Sequence, residues 1–136
     1  MTIHSNAADD RPILVLGGGI SQISLIQHIR DQGIPTLVAD YRANCQGHRI
    51  ADHVSLNSTF DVESNLALAR QFNIRGAIAS ATDQPLVVMA DIASELGLPC
   101  YLTPEQARLC TDKLLMLPAF TAHGLPVPKL HVLSVE

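Results

Sequence analysis

A chain of 136 residues has the length of a single domain or of one part of a larger protein. Its 47% of hydrophobic and 16% of charged residues are typical of a globular protein and exclude an intrinsically disordered one. The net charge of -4 argues against a nucleic-acid-binding protein, which ordinarily carries a basic face, and no apolar run is long enough to span a membrane.

The N-terminal segment, the cysteines and the histidines bear on localisation and metal binding. Residues 1–12, which read MTIHSNAADDRP, lack the charged-then-apolar pattern of a signal peptide, and we expect them to form a disordered leader. The three cysteines show no Cys-x-x-Cys spacing, which argues against a disulfide framework and favours the reducing cytoplasm. The six histidines are not spaced as metal ligands, so we expect no metal site.

Strands and helices are predicted to alternate along the chain. Apolar runs predict buried strands, and apolar residues at helical spacing predict helices. Strands are expected at 13–16, 36–40, 53–56 and 76–81, helices at 21–32, 61–72, 83–96, 104–111 and from 112 to about 123, and a strand-like segment at 130–133. Gly33, Gly97 and Gly124, each followed by x-Pro, are expected to terminate helices. This order predicts an α/β fold of three layers, a Rossmann-like parallel sheet with helices on both faces.

Three groups of residues follow predicted strands and are expected to meet at one edge of the sheet. They are Gly17–Gly19, Asp40 and Ser80–Asp83. Ligands of parallel α/β sheets bind at the carboxyl ends of the strands, and consecutive glycines let a ligand approach backbone N–H groups. The structural alternatives are a tight turn at the glycines, a turn residue at Asp40 and an acid at a helix N-terminus at Asp83.

The glycine loop matches only part of a dinucleotide-binding motif. Asp40 lies 21 residues after Gly19, where such a fold places its ribose-binding acid. The third glycine of G-x-G-x-x-G, which permits close packing of the helix on the strand, is replaced by Gln22. The Gln22 amide could instead face the crevice from the start of the helix. An NAD(P)-binding Rossmann module is therefore an alternative.

The C-terminal part of the sequence has a separate pattern. Thr103 and Gln106 form a capping box around Pro104, which takes the first helical position. A further helix is expected to begin at Asp112-Lys113. Pro118 lies inside that helix and is expected to kink or break it, because an interior proline removes a hydrogen bond and costs roughly 3 kcal/mol.

Taken together, these segments resemble the N-terminal domain of ATP-grasp ligases. That superfamily includes D-alanine–D-alanine ligase, biotin carboxylase, the purine-biosynthesis carboxylases and carbamoyl-phosphate synthase. Besides the glycine loop, the resemblance rests on the ordered segments SATDQPLVVMADIASELGLP, TPEQARLCTDKLLM and HGLPVP, and it covers residues 13–136. It implies a pre-ATP-grasp α/β domain at 13–110, followed at 111–136 by a lysine-bearing helix and a linker into an ATP-grasp domain that this chain lacks.

The resemblance implies a function as well as a fold. In this family the first domain forms much of the wall around a small carboxylate or amine substrate, and two further lobes clamp ATP and Mg²⁺. The carboxylate is phosphorylated, and the amine attacks the acyl phosphate. We expect the substrate-side domain of a cytoplasmic carboxylate–amine ligase, with the missing lobes as its partner. The family's metal-binding Glu and Asn have no match here, so we expect no catalytic residue, no tight ATP binding and no turnover by this chain alone.

The resemblance also assigns individual residues. Lys113 matches the family lysine that reaches the ATP phosphates, where an ammonium group neutralises charge on the transferring phosphoryl group; the structural alternative is a solvated surface lysine. The residues expected to border the substrate crevice are Gly17, Gly18, Gly19, Gln22, Asp40, Thr82 and Asp83. A non-catalytic dimerisation domain is the other alternative, because N-terminal domains of this family often contribute to homodimer contacts.

Overall fold

A parallel sheet forms the centre of the molecule in a computed structural model that describes residues 9–129 and 131–133. Its strands are β1 (Ile13–Leu16), β2 (Thr36–Ala39), β3 (His53–Ser55) and β4 (Gly76–Ala79). Their order across the sheet is β3-β2-β1-β4, and every neighbouring pair is parallel. The carboxyl ends of the strands therefore lie at one edge, as the sequence predicted.

The described residues form five helices. They are α1 (Ile23–Asp31), α2 (Val62–Gln71), α3 (Pro85–Leu96), α4 (Pro104–Thr111) and α5 (Lys113–Ala122), and short 3₁₀ turns occupy Ile20–Gln22 and Gly47–Arg49. The predicted α/β class is confirmed. β4 was expected to reach Ala81 but ends at Ala79, since Ala81 has a left-handed backbone with φ +63° that leaves the extended conformation.

The buried side chains form two layers, one on each face of the sheet. The layer between the sheet and helices α2 and α3 contains Leu14, Leu16, Leu37, Met89 and Ile92. The layer on the α1 face contains Val15, Val38, Ile26 and Ile29. Successive residues of β1 and β2 point into opposite layers, so both strands are apolar except at Thr36, which is buried and donates its N–H and hydroxyl to Asp52 Oδ2. The expected three-layer arrangement is confirmed.

The predicted helix ends are largely observed. Gly33, Gly97 and Gly124 have positive φ angles of 71°, 63° and 70° where their helices terminate. At the start of α4, the Gln106 N–H donates to the Thr103 hydroxyl at 3.2 Å, and the Thr103 N–H donates to the Gln106 side chain at 2.9 Å. Both halves of the capping box are therefore present.

The last two helices extend away from the sheet. α4 packs against α3, and α5 packs against α4 but buries none of its own side chains. α5 continues through Pro118, so the expected break does not occur. Pro118 is exposed to solvent, and the helix continues past it with one intrahelical hydrogen bond fewer.

Two predictions concern the chain ends. Of the strand-like segment at 130–133, residues 131–133 adopt no strand, and residue 130 lies outside the described residues. Of the predicted leader, residues 1–8 also lie outside them, while Pro12 accepts a hydrogen bond from the Arg75 N–H at 3.0 Å. Within the described ranges, no helix combines the length and apolar character needed to cross a bilayer.

Replacing Pro118 by alanine is expected to stabilise α5 by about 1–3 kcal/mol, because it restores an N–H donor inside the helix. Hydrogen exchange of the α5 amides measures this free energy of opening. Pro104→Ala is the matched control, since Pro104 occupies the first turn of α4, where the N–H has no partner within the helix. If Pro104→Ala increased protection from hydrogen exchange as much as Pro118→Ala does, the restored N–H donor would not explain the stabilisation.

Candidate functional site

A small cleft opens at the carboxyl ends of the strands, and we call it the strand-end cleft. Its lining residues are Gly17, Gln22, Asp40, Tyr41, Arg42, Thr59, Thr82 and Pro85. The structure thus brings together four of the residues predicted to border a crevice. The cleft has a volume of about 100 Å³, well below the roughly 300–1,000 Å³ of ordinary ligand pockets. A substrate of ordinary size therefore needs further walls.

The glycine loop, Gly17–Gly19, is tied to β2. The Gly17 N–H donates to the Ala39 carbonyl at 2.9 Å, and the Gly18 N–H donates to Asp40 Oδ2 at 2.9 Å. Gly17 has a φ of +108°, which L side chains rarely adopt. Two of the loop's N–H groups are therefore used inside the protein and are not available to a ligand.

The segment after β2 closes tightly over the loop. The Gly47 N–H donates to the Gly18 carbonyl at 2.7 Å. A Cβ on Gly47 would lie 2.6 Å from Gly18 Cα, and a Cβ on Gly18 would lie 2.6 Å from the sulfur of Cys45. Because backbone cannot move aside as a flexible side chain can, Gly47 has to remain a glycine for the loop to keep this position.

Gln22 fills the position of the missing third glycine. Its side chain is buried, and Nε2 donates to the Ser80 carbonyl at 2.8 Å. Its Cδ lies only 3.4 Å from the place that a Cβ on Gly17 would occupy. The Gln22 amide thus joins the loop after β1 to the loop after β4 and takes up space beside the glycines that a dinucleotide would approach.

Asp40 is 3% exposed, and four hydrogen bonds converge on its carboxylate. Oδ2 accepts from the Gly18 N–H at 2.9 Å and from Arg42 Nη2 at 2.7 Å. Oδ1 accepts from the Arg42 N–H at 2.9 Å and from Arg42 Nε at 3.0 Å. The Arg42 guanidinium above all, and then the two backbone N–H groups, hold the pKa of Asp40 well below its usual range despite burial.

This pairing bears directly on the NAD(P) alternative. An ionised carboxylate offers about four lone-pair sites, and all of those of Asp40 are engaged. A ribose hydroxyl could bond to Asp40 only after displacing Arg42 or Gly18. The geometry gives Asp40 a role in positioning its neighbours, and its predicted direct contact with a substrate stays a prediction.

Sequence reasoning missed Arg42, Tyr41 and Thr59 as cleft residues. The Arg42 side chain is 53% exposed, and its guanidinium carbon lies 5.8 Å from the centre of the Tyr41 ring. One signal was present in the sequence, namely an arginine two residues after an acid that ends a buried strand. A buried carboxylate requires a compensating positive charge, so the nearest basic residue deserved consideration.

The residues after β4 are only partly in the cleft. Thr82 lines it, whereas the exposed Asp83 does not; the Asp83 carbonyl accepts the Leu86 N–H at 3.0 Å as α3 begins. Asp40 and Asp83 do not build a metal centre. In the part of the chain that the structure describes, no group of three His, Cys, Asp or Glu side chains could hold a metal ion.

Lys113 lies outside the strand-end cleft. It is the first residue of α5 and lines a separate groove with Gln84 and Asp112. Asp112 caps the helix by accepting the Leu114 N–H at 2.8 Å. Lys113 therefore does not line the cleft that contains Gly17, Gln22, Asp40 and Thr82.

Known proteins resemble this chain in structure. No protein-family model and no curated protein matches it. It is similar to phosphoribosylglycinamide synthetase from Anaerococcus prevotii, with 26% identity and a TM-score of 0.75 over 85% of this chain and 30% of that one. It is also similar to N5-carboxyaminoimidazole ribonucleotide synthetase from Thermotoga maritima, with 18% identity and a TM-score of 0.68 over 88% of this chain and 32% of that one.

Both proteins are ATP-grasp ligases, and the chain matches their N-terminal region. The resemblance to this N-terminal domain is therefore confirmed, although the chain spans less than a third of either ligase. A weaker similarity links it to the enzyme WbmG from Bordetella bronchiseptica in complex with NAD, at 23% identity and a TM-score of 0.54 over 69% of this chain and 37% of that one. That similarity extends to the fold alone.

Gly47→Ala is expected to destabilise the protein by about 1–3 kcal/mol, because the added methyl group meets the Gly18 backbone. Chemical denaturation measures the change. Gly76→Ala is the control, since a Cβ there meets nothing within 4 Å and its expected effect on stability is neutral or favourable. A Gly47→Ala variant as stable as the parent would disprove the tight contact.

Asp40→Asn is expected to lower the free energy of unfolding by about 2–3 kcal/mol near pH 7, because it removes charge-assisted hydrogen bonds at a buried site. The folded-state pKa of Asp40 is depressed. Its contribution is therefore fully present above the unfolded pKa of about 3.9 and is lost as pH falls towards the folded value. Denaturation at several pH values should show parent and variant converging below about pH 4.

Asp9→Asn is the matched control. Asp9 pairs with Arg11 through the same backbone and guanidinium donors, and this lowers the pKa of Asp9 to about 2. The pair lies at the surface, where solvent weakens it, so we expect a smaller loss of stability. Equal losses from Asp40→Asn and Asp9→Asn would show that burial of Asp40 contributes nothing.

Proposed function

We propose that this chain is the substrate-side N-terminal domain of an ATP-dependent carboxylate–amine ligase of the ATP-grasp type. The observation that carries the proposal is the similarity of 85% of the chain to the N-terminal region of phosphoribosylglycinamide synthetase. Because the chain spans 30% of that protein, the activity, the substrates and the ATP-grasp lobes of a complete ligase are all part of the proposal.

In this proposal the strand-end cleft forms one wall of the substrate site. A carboxylate substrate would take the γ-phosphoryl group of ATP, with ADP as the leaving group, and an amine would then attack the acyl phosphate and displace phosphate. The small volume of the cleft supports the need for the lobes, which would add the remaining walls and exclude water. The described residues contain no carboxylate cluster suited to Mg²⁺, so the proposal assigns Mg²⁺ and most of the ATP contacts to the lobes.

The domain boundaries follow from the same proposal. Residues 13–110 are the pre-ATP-grasp domain, and residues 111–136 lead towards the lobes. The surface of α5 supports this assignment, since Leu114 is 51% exposed and Leu115 is 48% exposed. Apolar side chains exposed on a helix are typical of a surface that another domain covers.

Lys113 is assigned to the ATP phosphates. It lies at the first position of an apolar helix, where nearby N–H groups also favour an anion. The groove that it lines has a volume of about 530 Å³ and includes Arg108 as a second basic residue. Arg108 Nη2 already donates to both carboxylate oxygens of Asp91, at 2.8 and 3.0 Å, so a polyphosphate at the mouth of this groove would be held mainly by Lys113, while the substrate lies in the strand-end cleft.

The proposal is tested by NMR titration of the ¹⁵N-labelled chain with Mg·ATP and, separately, with NADH. We expect small shifts with Mg·ATP around Lys113, no ATP hydrolysis, and no shifts at Gly17–Gly19 with NADH, because the main ATP clamp is absent and Asp40 is saturated. Sub-micromolar NADH binding at the glycine loop would overturn the ligase proposal and favour the NAD(P) module.

Lys113→Gln provides the residue-level test. It is expected to remove the Mg·ATP shifts without changing the rest of the spectrum, because the side chain is exposed. Lys129→Gln is the charge-matched control on another exposed lysine and should leave the shifts intact. Equal responses from the two variants would reduce the ATP effect to general attraction by positive charge.

A further inference from the structure

Two Asp-x-Arg pairs in this chain share one local geometry but differ in their surroundings. In each pair the arginine donates to the aspartate two residues earlier through its backbone N–H, Nε and Nη2. The Asp9–Arg11 pair is exposed on both sides, with Asp9 at 35%. In the second pair, the Asp40 side chain is 4% exposed while that of Arg42 remains 53% exposed. The buried acid therefore anchors an arginine that faces solvent.

The anchored arginine has unused donors. A guanidinium carries five N–H groups, and the bonds to Asp40 occupy Nε and one N–H of Nη2. Among the described residues, no acceptor contacts Nη1 of Arg42 within hydrogen-bond distance. Since Arg42 lines the strand-end cleft, this free edge is available to a ligand there.

The position of the guanidinium is fixed by its neighbours. Besides Asp40, the Tyr41 ring lies 5.8 Å from its central carbon. A Cβ on Gly19 would lie 3.2 Å from Arg42 Nη2, so a side chain at that position would press against the guanidinium. The last glycine of the loop thus leaves room for Arg42. An arginine held in place before binding loses little conformational entropy when a ligand arrives.

We propose that Arg42 binds an oxoanion group, a carboxylate or a phosphate, of the ligand that occupies the strand-end cleft, and that Asp40 is its positioning residue. The planar edge of arginine matches two oxygens of either group. Thr59 and Thr82 line the same cleft and carry hydroxyl groups that can donate to further oxygens. The Asp40 carboxylate accepts hydrogen bonds from Arg42 and Gly18, and Arg42 is the more exposed member of the pair, at 53% against 4%.

This inference deepens the proposed function by naming the group that holds the substrate, and it rests on that function only for the identity of the ligand.

The test is an NMR titration of the whole ¹⁵N-labelled chain with inorganic phosphate and, in a second experiment, with acetate, at an ionic strength held constant with chloride. We expect saturable shifts of the Arg42 Nε–H and of the Gly19 amide. A lower dissociation constant for phosphate than for acetate would indicate a phosphate site, and the reverse order would indicate a carboxylate site.

Arg42→Gln is expected to weaken phosphate or acetate binding at least tenfold. Arg11→Gln is the matched control, because it removes the guanidinium of the equivalent surface pair, and it should leave binding unchanged. If Arg42→Gln fails to fold, Arg42→Lys keeps the charge but lacks the planar edge, and it is expected to weaken binding as well. Asp40→Asn should also weaken binding, because it releases Arg42 from its fixed position.

Several outcomes would overturn the inference. They are the absence of saturable shifts in both experiments, shifts that persist in Arg42→Gln, and equal losses in Arg42→Gln and Arg11→Gln. None of these outcomes affects the assignment as a ligase domain, which rests on the fold. Conversely, NADH binding at the glycine loop would remove that assignment, whatever the response of Arg42 to phosphate.

Discussion

Four hydrogen bonds to one buried carboxylate organise the carboxyl edge of the sheet. Asp40 binds Gly18, which belongs to the loop after β1, and Arg42, which begins the segment after β2. The same interaction fixes the path of the glycine loop, neutralises the charge of the acid and points the guanidinium outward. A single side chain thereby connects the packing of the sheet to the chemistry of the cleft.

The loops around this carboxylate are joined to one another as well as to the sheet. Gln22 links the glycine loop to the Ser80 carbonyl after β4, and Gly47 links it to the segment after β2. The loops that shape the cleft are consequently held by hydrogen bonds and close packing within this domain. Under the proposed ligase function, the moving part of the site would then lie in the lobes that this chain lacks.

Much of the fold follows from local sequence patterns, whereas the site depends on contacts between distant residues. Apolar runs located the strands to within a few residues, and the capping box of α4 was read directly from Thr103 and Gln106. Asp40 was placed correctly at the sheet edge, but its four partners could not be counted before the loops were in place. Arg42 was missed for the same reason. The expected break at Pro118 does not occur, because the loss of one hydrogen bond does not stop the residues on either side from continuing the helix.

The contact between Gly18 and Gly47 has a consequence for how this sequence can change. Each residue already has the smallest side chain that the genetic code offers, so a bulkier residue at one position cannot be offset by a smaller one at the other. A bulkier residue could be accommodated only if one backbone segment moved away from the other, through an insertion or deletion in the segment after β2. The Asp40–Arg42 pair lies at the start of that segment and would move with it. The close contact between Gly18 and Gly47, which are 29 residues apart, thus constrains the geometry of the Asp40–Arg42 ion pair.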